Sequence, residues 1–213
     1  MESGQGKHRG RTVAIVIVVA AITLIATYAA TTQFFAQTYK VPGEGMAPAI
    51  GPGERIVVDK IVYRFRQPRP GEVIVFNAPP DWTLNRPSAD YDLVKRVIAV
   101  GGQTVQCRED TGLTLDGKTL AEPYLDEKVM GPAIDRCWGF QFGPVTVPEG
   151  RLWVMGDNRT HSADSRAHCT WPPTDDGIQC TSDATKATIP VANAVGRVSY
   201  IYNAPLGFRN VSP

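Results

Sequence analysis

The sequence has almost no net charge: 22 Lys and Arg face 21 Asp and Glu over 213 residues, a formal balance of +1. A nucleic-acid binder needs a basic excess to neutralise phosphates and a solvating tail an acidic one, so neither class is expected, and nucleic acid is not a predicted partner. Histidine is scarce at three and cysteine at four. His161, His168, Cys169 and Cys180 are the only cluster that could supply zinc ligands, and they form neither a Cys-x2-Cys knuckle nor a His-x3-His pair. No metal or other cofactor is expected. Repeats are lacking too, and the length suits one ordinary domain, or a membrane anchor with a domain of about 170 residues.

Charge is missing altogether from Thr12 to Tyr39, a stretch of 28 residues centred on VAIVIVVAAITLIATYAA. A bilayer core of about 30 Å takes about 20 helical residues, so this run predicts a transmembrane anchor over residues 12–36. A cleavable signal peptide is the rival reading. Its apolar region is usually about 7–15 residues long and ends at a small-x-small site, which Thr27-Tyr28-Ala29 matches poorly. Lys7, Arg9 and Arg11 precede the run, whereas only Lys40 follows it closely. The positive-inside rule then keeps a tail of residues 1–11 in the cytoplasm and places residues 37–213 outside, as expected of a single-pass plasma-membrane protein whose partners include the lipid bilayer.

Beyond the anchor, apolar residues recur in short Val- and Ile-rich runs bounded by Gly, Pro or Asp: ERIVVDKIVY, GEVIVFN, DLVKRVIAVGG, RLWVMGD and AVGRVSYIY. These are too short for independent helices and predict a mainly β, antiparallel body, as a barrel or as two sheets. Residues of about 107–148, with the turn LDGK and many Gly and Pro, read as an inserted β-rich lobe. Ala167 to Thr188 reads as a long loop. All four cysteines lie in the outer part, where disulfides persist. Three connectivities are open, and proximity favours Cys107 with Cys137 and Cys169 with Cys180. Trp82, Trp138, Phe140 and Phe142 could serve either the core or a lipid surface.

Three segments concentrate unusual residues. VPGEGMAPAI (Val41 to Ile50) is a turn-rich stretch carrying Met46 and Pro48, which on its own reads as a juxtamembrane linker. In DLVKRVIAVGG, Lys95 and Arg96 are adjacent in an apolar strand, and because a strand alternates faces they cannot both point outward. MGDNRTHSADSR packs Asp157, Asn158, Arg159, Ser162, Asp164, Ser165 and Arg166 at a strand end, as a functional loop or as a solvated run of Asx-turns.

Taken together and in order, these segments resemble type I signal peptidases, membrane-anchored endopeptidases that remove signal peptides from exported pre-proteins with a Ser–Lys pair. The family's G-[DE]-x-[IV]-x-F strand is matched by Gly71 to Phe76, its [VI]-K-R-x-x-x-x-x-G segment by Val94 to Gly102, and its G-D-N-R-x-x-S-x-D-S-R motif in full by Gly156 to Arg166. The resemblance implies that Lys95 is the general base, that Ser162 orients it, that Asp164 and Arg166 form an ion pair behind the site, and that signal peptides are the binding partner. Burial in an apolar strand would lower the pKa of Lys95 toward the range a base needs.

The family's P-S-G-S-M-x-P-T segment is where this chain departs. Gly43 stands at the oxyanion serine, Glu44 at the usual Gly, Gly45 at the nucleophilic serine and Ala49 at the Thr. Without a hydroxyl at residue 45 no acyl-enzyme can form there, and a carboxylate at Glu44 close to Lys95 would raise the lysine's pKa. A serine restored at 45 alone would then help little. Three functions follow as rivals: a member of the family that retains some hydrolysis, a catalytically silent relative that binds signal peptides or an active paralogue, and a secreted β domain released by signal cleavage.

Overall fold

In the computed structural model, residues 5–83, 91–130, 136–169, 184–203 and 207–211 are described. The chain divides into two units, residues 1–37 and 38–213. The first is built on one helix, α1 (Gln5–Phe35). Apolar side chains along it, among them Val13, Ile17, Ile22, Leu24 and Ile25, are exposed. Two threonines in this apolar stretch bond locally: Thr23 Oγ1 donates to the carbonyl of Val19 at 2.7 Å, and Thr27 Oγ1 donates to that of Thr23. Among the described residues, no helix is long and apolar enough to cross a membrane.

The second unit is mainly β. Its principal sheet runs in the order β1 (Ala36–Lys40), β2 (Arg55–Asp59), β11 (Ala194–Asn203), β3 (Val73–Asn77), β4 (Asp92–Val100), β9 (Arg151–Met155), β10 (Ile189–Pro190), with β12 (Gly207–Asn210) on the far half of β11. A second sheet has the order β7 (Lys118–Thr119), β6 (Gly112–Leu115), β5 (Thr104–Arg108), β8 (Phe142–Thr146). The continuous apolar run of β3 has neighbours on both sides and is buried from Val73 to Phe76, as a central strand requires. β11 bends at irregularities beside Gly196 and between Val198 and Tyr200, which lets one strand serve β3, β2 and β12 in turn. At Gly196 a β-carbon would lie 2.3 Å from the Asp59 carbonyl oxygen, so the close approach of β11 and β2 excludes any side chain there.

The five apolar runs read from the sequence become β2, β3, β4, β9 and β11. One boundary differs: Val62–Phe65 is a helical turn, α2, rather than an extension of β2, because Asp59 Oδ1 accepts from the backbone N–H of Ile61 and Val62 and turns the chain. β12 is mostly exposed and lies outside the apolar runs that mark those five strands. The second sheet draws on residues 104–146, and one apolar cluster joins it to β4 and β9 through Ile98, Val105, Leu113, Phe142, Val145 and Trp153. Phe142 stacks on Trp153 at 4.9 Å, and Trp82 stacks on His168 at 4.2 Å while its Nε1 donates to the Lys186 carbonyl, so both residues belong to the interior and not to a lipid surface. Cys107 and Cys137 are disulfide-bonded. Cys169 is also in a disulfide, while Cys180 and most of the loop from Ala167 to Thr188 lie outside the described residues.

Candidate active site

β4 carries Lys95 and Arg96 inward, both buried, at 7% and 0% exposure. Alternation sends them to opposite faces. Lys95 faces the turn from Gly43 to Ile50, and a β-carbon built on Gly45 would lie 3.3 Å from Lys95 Nζ, 3.4 Å from the His161 carbonyl oxygen and 3.7 Å from Ser162 Oγ. Three segments remote in sequence therefore converge on one point. The turn is held from below by Met46, which is 2% exposed and packs with Val41, Ile50 and Val75, and it is closed by Ala47 N–H donating to the Glu44 carbonyl and Ile50 N–H to that of Met46. Pro48 is half-buried in the same turn.

Asn158 stitches the strand end after β9 to this turn. Its backbone N–H donates to the Gly45 carbonyl at 3.2 Å and its Nδ2 to the Glu44 carbonyl at 3.3 Å. Gly156 allows the approach, since a β-carbon there would fall 2.2 Å from Ser162 Oγ and 2.3 Å from the Gly45 carbonyl oxygen. Ser165 Oγ accepts from Val154 N–H at 2.9 Å, tying the loop back to β9. Ser162 Oγ itself is buried without a hydrogen-bond partner among the described residues.

Beneath this surface lies a set of ion pairs, only one of which the sequence pattern announced. Asp164 takes Arg166 Nε and Nη2 at 2.9 and 2.8 Å and the Gly156 N–H at 2.9 Å. Asp157 takes Arg96 Nε and Nη2 at 2.8 and 2.7 Å, and Arg159 pairs with Glu122. Glu122 and Tyr124 are not singled out by the sequence, and Arg96 is marked there only as the neighbour of Lys95, without its partner. A second basic residue beside Lys95 in an apolar strand was the signal available for Arg96, but Glu122 and Tyr124 sit in a loop without periodicity. Tyr124 lies with its ring centroid 3.9 Å from the Arg96 guanidinium carbon.

The pairing explains the lysine. Asp157 and Asp164, the two carboxylates that act on Lys95, are each engaged by a guanidinium, so Lys95 sits beside acids already paired. Burial is the largest influence on it and holds its pKa below the ordinary 10.5; Asp164 pulls it up, Arg166 pushes it down, and Asp157 pulls it up. For Asp164, burial pushes the carboxyl up, but Arg166 and the Gly156 N–H outweigh this and hold it below the usual carboxylate range. Glu44 is exposed and is not among the charges acting on Lys95, so the expectation that it would raise the lysine's pKa is corrected.

A stability test follows from the sign of that shift. Between the depressed folded value and 10.5 the unfolded chain binds more protons than the folded one, so stability rises with pH across this window. Lys95→Met should remove that slope and stabilise the protein by about 1 kcal/mol, the common size of gain when a functional group is given up. The gain should be largest below the folded pKa and fade as pH approaches 10.5. Urea unfolding of both forms at several pH values measures it; equal stability throughout would mean that the amine is as well solvated folded as unfolded.

Between residues 39–46 and the first half of β4 runs a groove of ≈ 240 Å³, lined by Tyr39, Val41, Gly43, Val75, Leu93 and Val94, with Gly45 and Lys95 on its wall. A β-carbon on Gly43 would meet nothing within 4 Å. β9 pairs with β4 from Arg96 to Val100, which leaves the stretch from Asp92 to Lys95 beyond that register and alongside the groove. Half-buried Trp138 and Phe140 line a separate hollow with Arg159, Thr160, Ser162 and Arg166.

Comparison with known proteins bears on what this arrangement is. The sequence profile of the family described as signal peptidase, peptidase S26, matches residues 11–203. Signal peptidase I of Mycobacterium tuberculosis (strain H37Rv) is 46% identical over 228 residues, covering 92% of this chain and 75% of the relative. Probable signal peptidase I of Mycobacterium leprae (strain TN) is 46% identical over 215 residues, covering 87% and 74%. Among solved structures, a signal peptidase I from Enterococcus faecalis V583 shares 25% identity over 63% of this chain and 98% of that one, with a TM-score of 0.43.

Proposed function

This chain belongs to the signal peptidase family, peptidase S26, and we propose that it binds the cleavage region of signal peptides in the groove beside Lys95, with the serine chemistry of its family suspended at Gly45. The observation that carries this reading is the point where a β-carbon of residue 45 would stand, 3.3 Å from Lys95 Nζ. At that point a serine would meet its base, and glycine offers no atom to acylate. An extended peptide can add to the backbone of Asp92 to Lys95, where β9 no longer pairs, and place alternate side chains in the groove. Lys95 has the burial and lowered pKa of a general base, and Ser162 Oγ, which makes no hydrogen bond to it, stands across the same point at residue 45. On the same reading the uncharged stretch of residues 12–36 holds the chain at the membrane, and the peptide is presented outside it. The support is the uncharged run of 28 residues together with the exposed apolar side chains of the helix.

The experiment uses the full chain in detergent micelles with a fluorescent signal-peptide substrate carrying Ala at −3 and −1. It should bind saturably, bind at least tenfold more weakly when −1 is Trp, because an indole is large against a groove of ≈ 240 Å³, and be cut at least about a thousandfold more slowly than by a serine-bearing member of the family. Turnover close to that of the serine-bearing enzyme would overturn the suspension of catalysis. Binding indifferent to the −1 side chain would overturn the groove.

A further inference from the structure

The space beside Gly45 is more than a missing side chain. Three polar atoms ring it: Lys95 Nζ, the His161 carbonyl oxygen and Ser162 Oγ, at 3.3, 3.4 and 3.7 Å from the β-carbon point. Ser162 Oγ is buried and has no hydrogen-bond partner among the described residues, although leaving a buried hydroxyl unsatisfied is costly. Gly45 and Lys95 also line the groove, so the space opens onto any peptide lying there. A buried water takes roughly 30 Å³ and about three polar partners, which is close to what the side chain of a serine would have filled and what these atoms provide.

Resting on the peptide-binding reading above, we propose that this space is a water site, and that the water held between Lys95, Ser162 and the His161 carbonyl is the nucleophile for direct hydrolysis of the bound peptide. The neutral Lys95 amine takes one proton from the water as its oxygen bonds to the scissile carbonyl carbon. The carbon–nitrogen bond then breaks, and the leaving nitrogen takes that proton from the Lys95 ammonium. The products are a signal peptide ending in a carboxylic acid, which ionises to solvent, and a mature chain with a new amino terminus. No covalent intermediate forms, which separates this route from the two-step chemistry of a serine at the same position. Burial serves the route by keeping the amine able to accept a proton, since the ammonium is the form it penalises.

Gly45→Ala is the decisive variant. Its methyl occupies the water site at contact distances of 3.3–3.7 Å without supplying a nucleophile. With the full chain in micelles and the Ala/Ala pre-protein, the wild type should cleave slowly, without a burst, without a mass adduct after denaturing quench, and without transfer to added hydroxylamine. Gly45→Ala should lose at least tenfold of that rate, and Lys95→Ala about a hundredfold, while a cooperative unfolding transition followed by circular dichroism reports that both fold. A peptide adduct on the wild type, or cleavage unchanged in Gly45→Ala, would overturn the water site. Binding with no Lys95-dependent cleavage at all would overturn it too and leave the peptide-binding reading standing, whereas failure to bind the peptide would overturn that reading itself.

Discussion

Gly45→Ser alone should raise the cleavage rate of the full chain by at least about a hundredfold and produce a peptide ester at residue 45. Loss of a serine nucleophile can cost about a millionfold in kcat where it has been isolated, so even partial recovery is large. The geometry favours recovery. The new β-carbon meets Lys95 Nζ at 3.3 Å, the mobile end of a side chain that has only to give by a few tenths of an ångström, and the other neighbours stand at 3.4 and 3.7 Å. A hydroxyl on that carbon can reach hydrogen-bond distance of the amine by rotation about one bond. Denaturing quench followed by mass measurement detects the ester, and a time course gives the rate. A variant that binds the peptide and yet shows neither ester nor faster cleavage would mean that the turn from Gly43 to Ile50 no longer presents residue 45 to the scissile carbonyl.

Glu44 does not stand in the way of that result. Its side chain is exposed, while its backbone carbonyl is what Asn158 and Ala47 hold. Changing it to Gly should therefore add little to Gly45→Ser. Gly43→Ser is different, because its β-carbon would meet nothing within 4 Å and its hydroxyl would face the groove. An oxyanion donor is commonly worth about a hundredfold or more in kcat, so this change has room to add to the first.

How much of this was legible in the sequence differs from element to element. β3 and β4 declared themselves because both are apolar runs bounded by Gly, Pro or Asp, and Lys95 stood out as a charge inside one of them. Gly156 to Arg166 stood out because its residue types recur at fixed spacing in a known family. The convergence of Gly45, Lys95 and Ser162 on one point was implied by that resemblance alone, since no local rule brings three segments separated by 50 and 67 positions together. The expectation for Glu44 fails because neighbours in sequence need not be neighbours in space: the turn exposes residue 44 and brings residue 45 to Lys95. Glu122 and Tyr124, and the partner of Arg96, are not legible for a related reason. Their significance lies in partners across the fold, and burial of a charge can be recognised only when its counter-ion is seen.

Those partners set the last expectation: Asp157→Ala should destabilise the protein by about 3–5 kcal/mol, the usual cost of removing one member of a buried ion pair. Arg96 and Asp157 have side-chain exposures of 1% and 0%. The guanidinium spends Nε and Nη2 on the carboxylate, Nη1 on the Gly71 carbonyl at 2.8 Å, and its face on Tyr124. Removing the carboxylate leaves a fixed positive charge where water has little access, and arginine does not escape by giving up its proton. Replacing the whole pair is another matter, since apolar residues of similar volume commonly match or exceed a buried ion pair in stability. Arg96→Met combined with Asp157→Leu should accordingly lose less than Asp157→Ala alone, a non-additivity that a double-mutant cycle by urea unfolding measures. A cost under about 1 kcal/mol for Asp157→Ala would show the pair to be solvated like a surface bridge. The consequence reaches the site, because Asp157 follows the Gly156 on which Ser162 Oγ rests and precedes the Asn158 that holds the Gly45 carbonyl. Loosening Arg96 from Asp157 should therefore weaken peptide binding in the groove as well as stability, and the double replacement should recover stability without recovering binding in full, since an apolar pair fills the volume but does not fix the direction of the strand end.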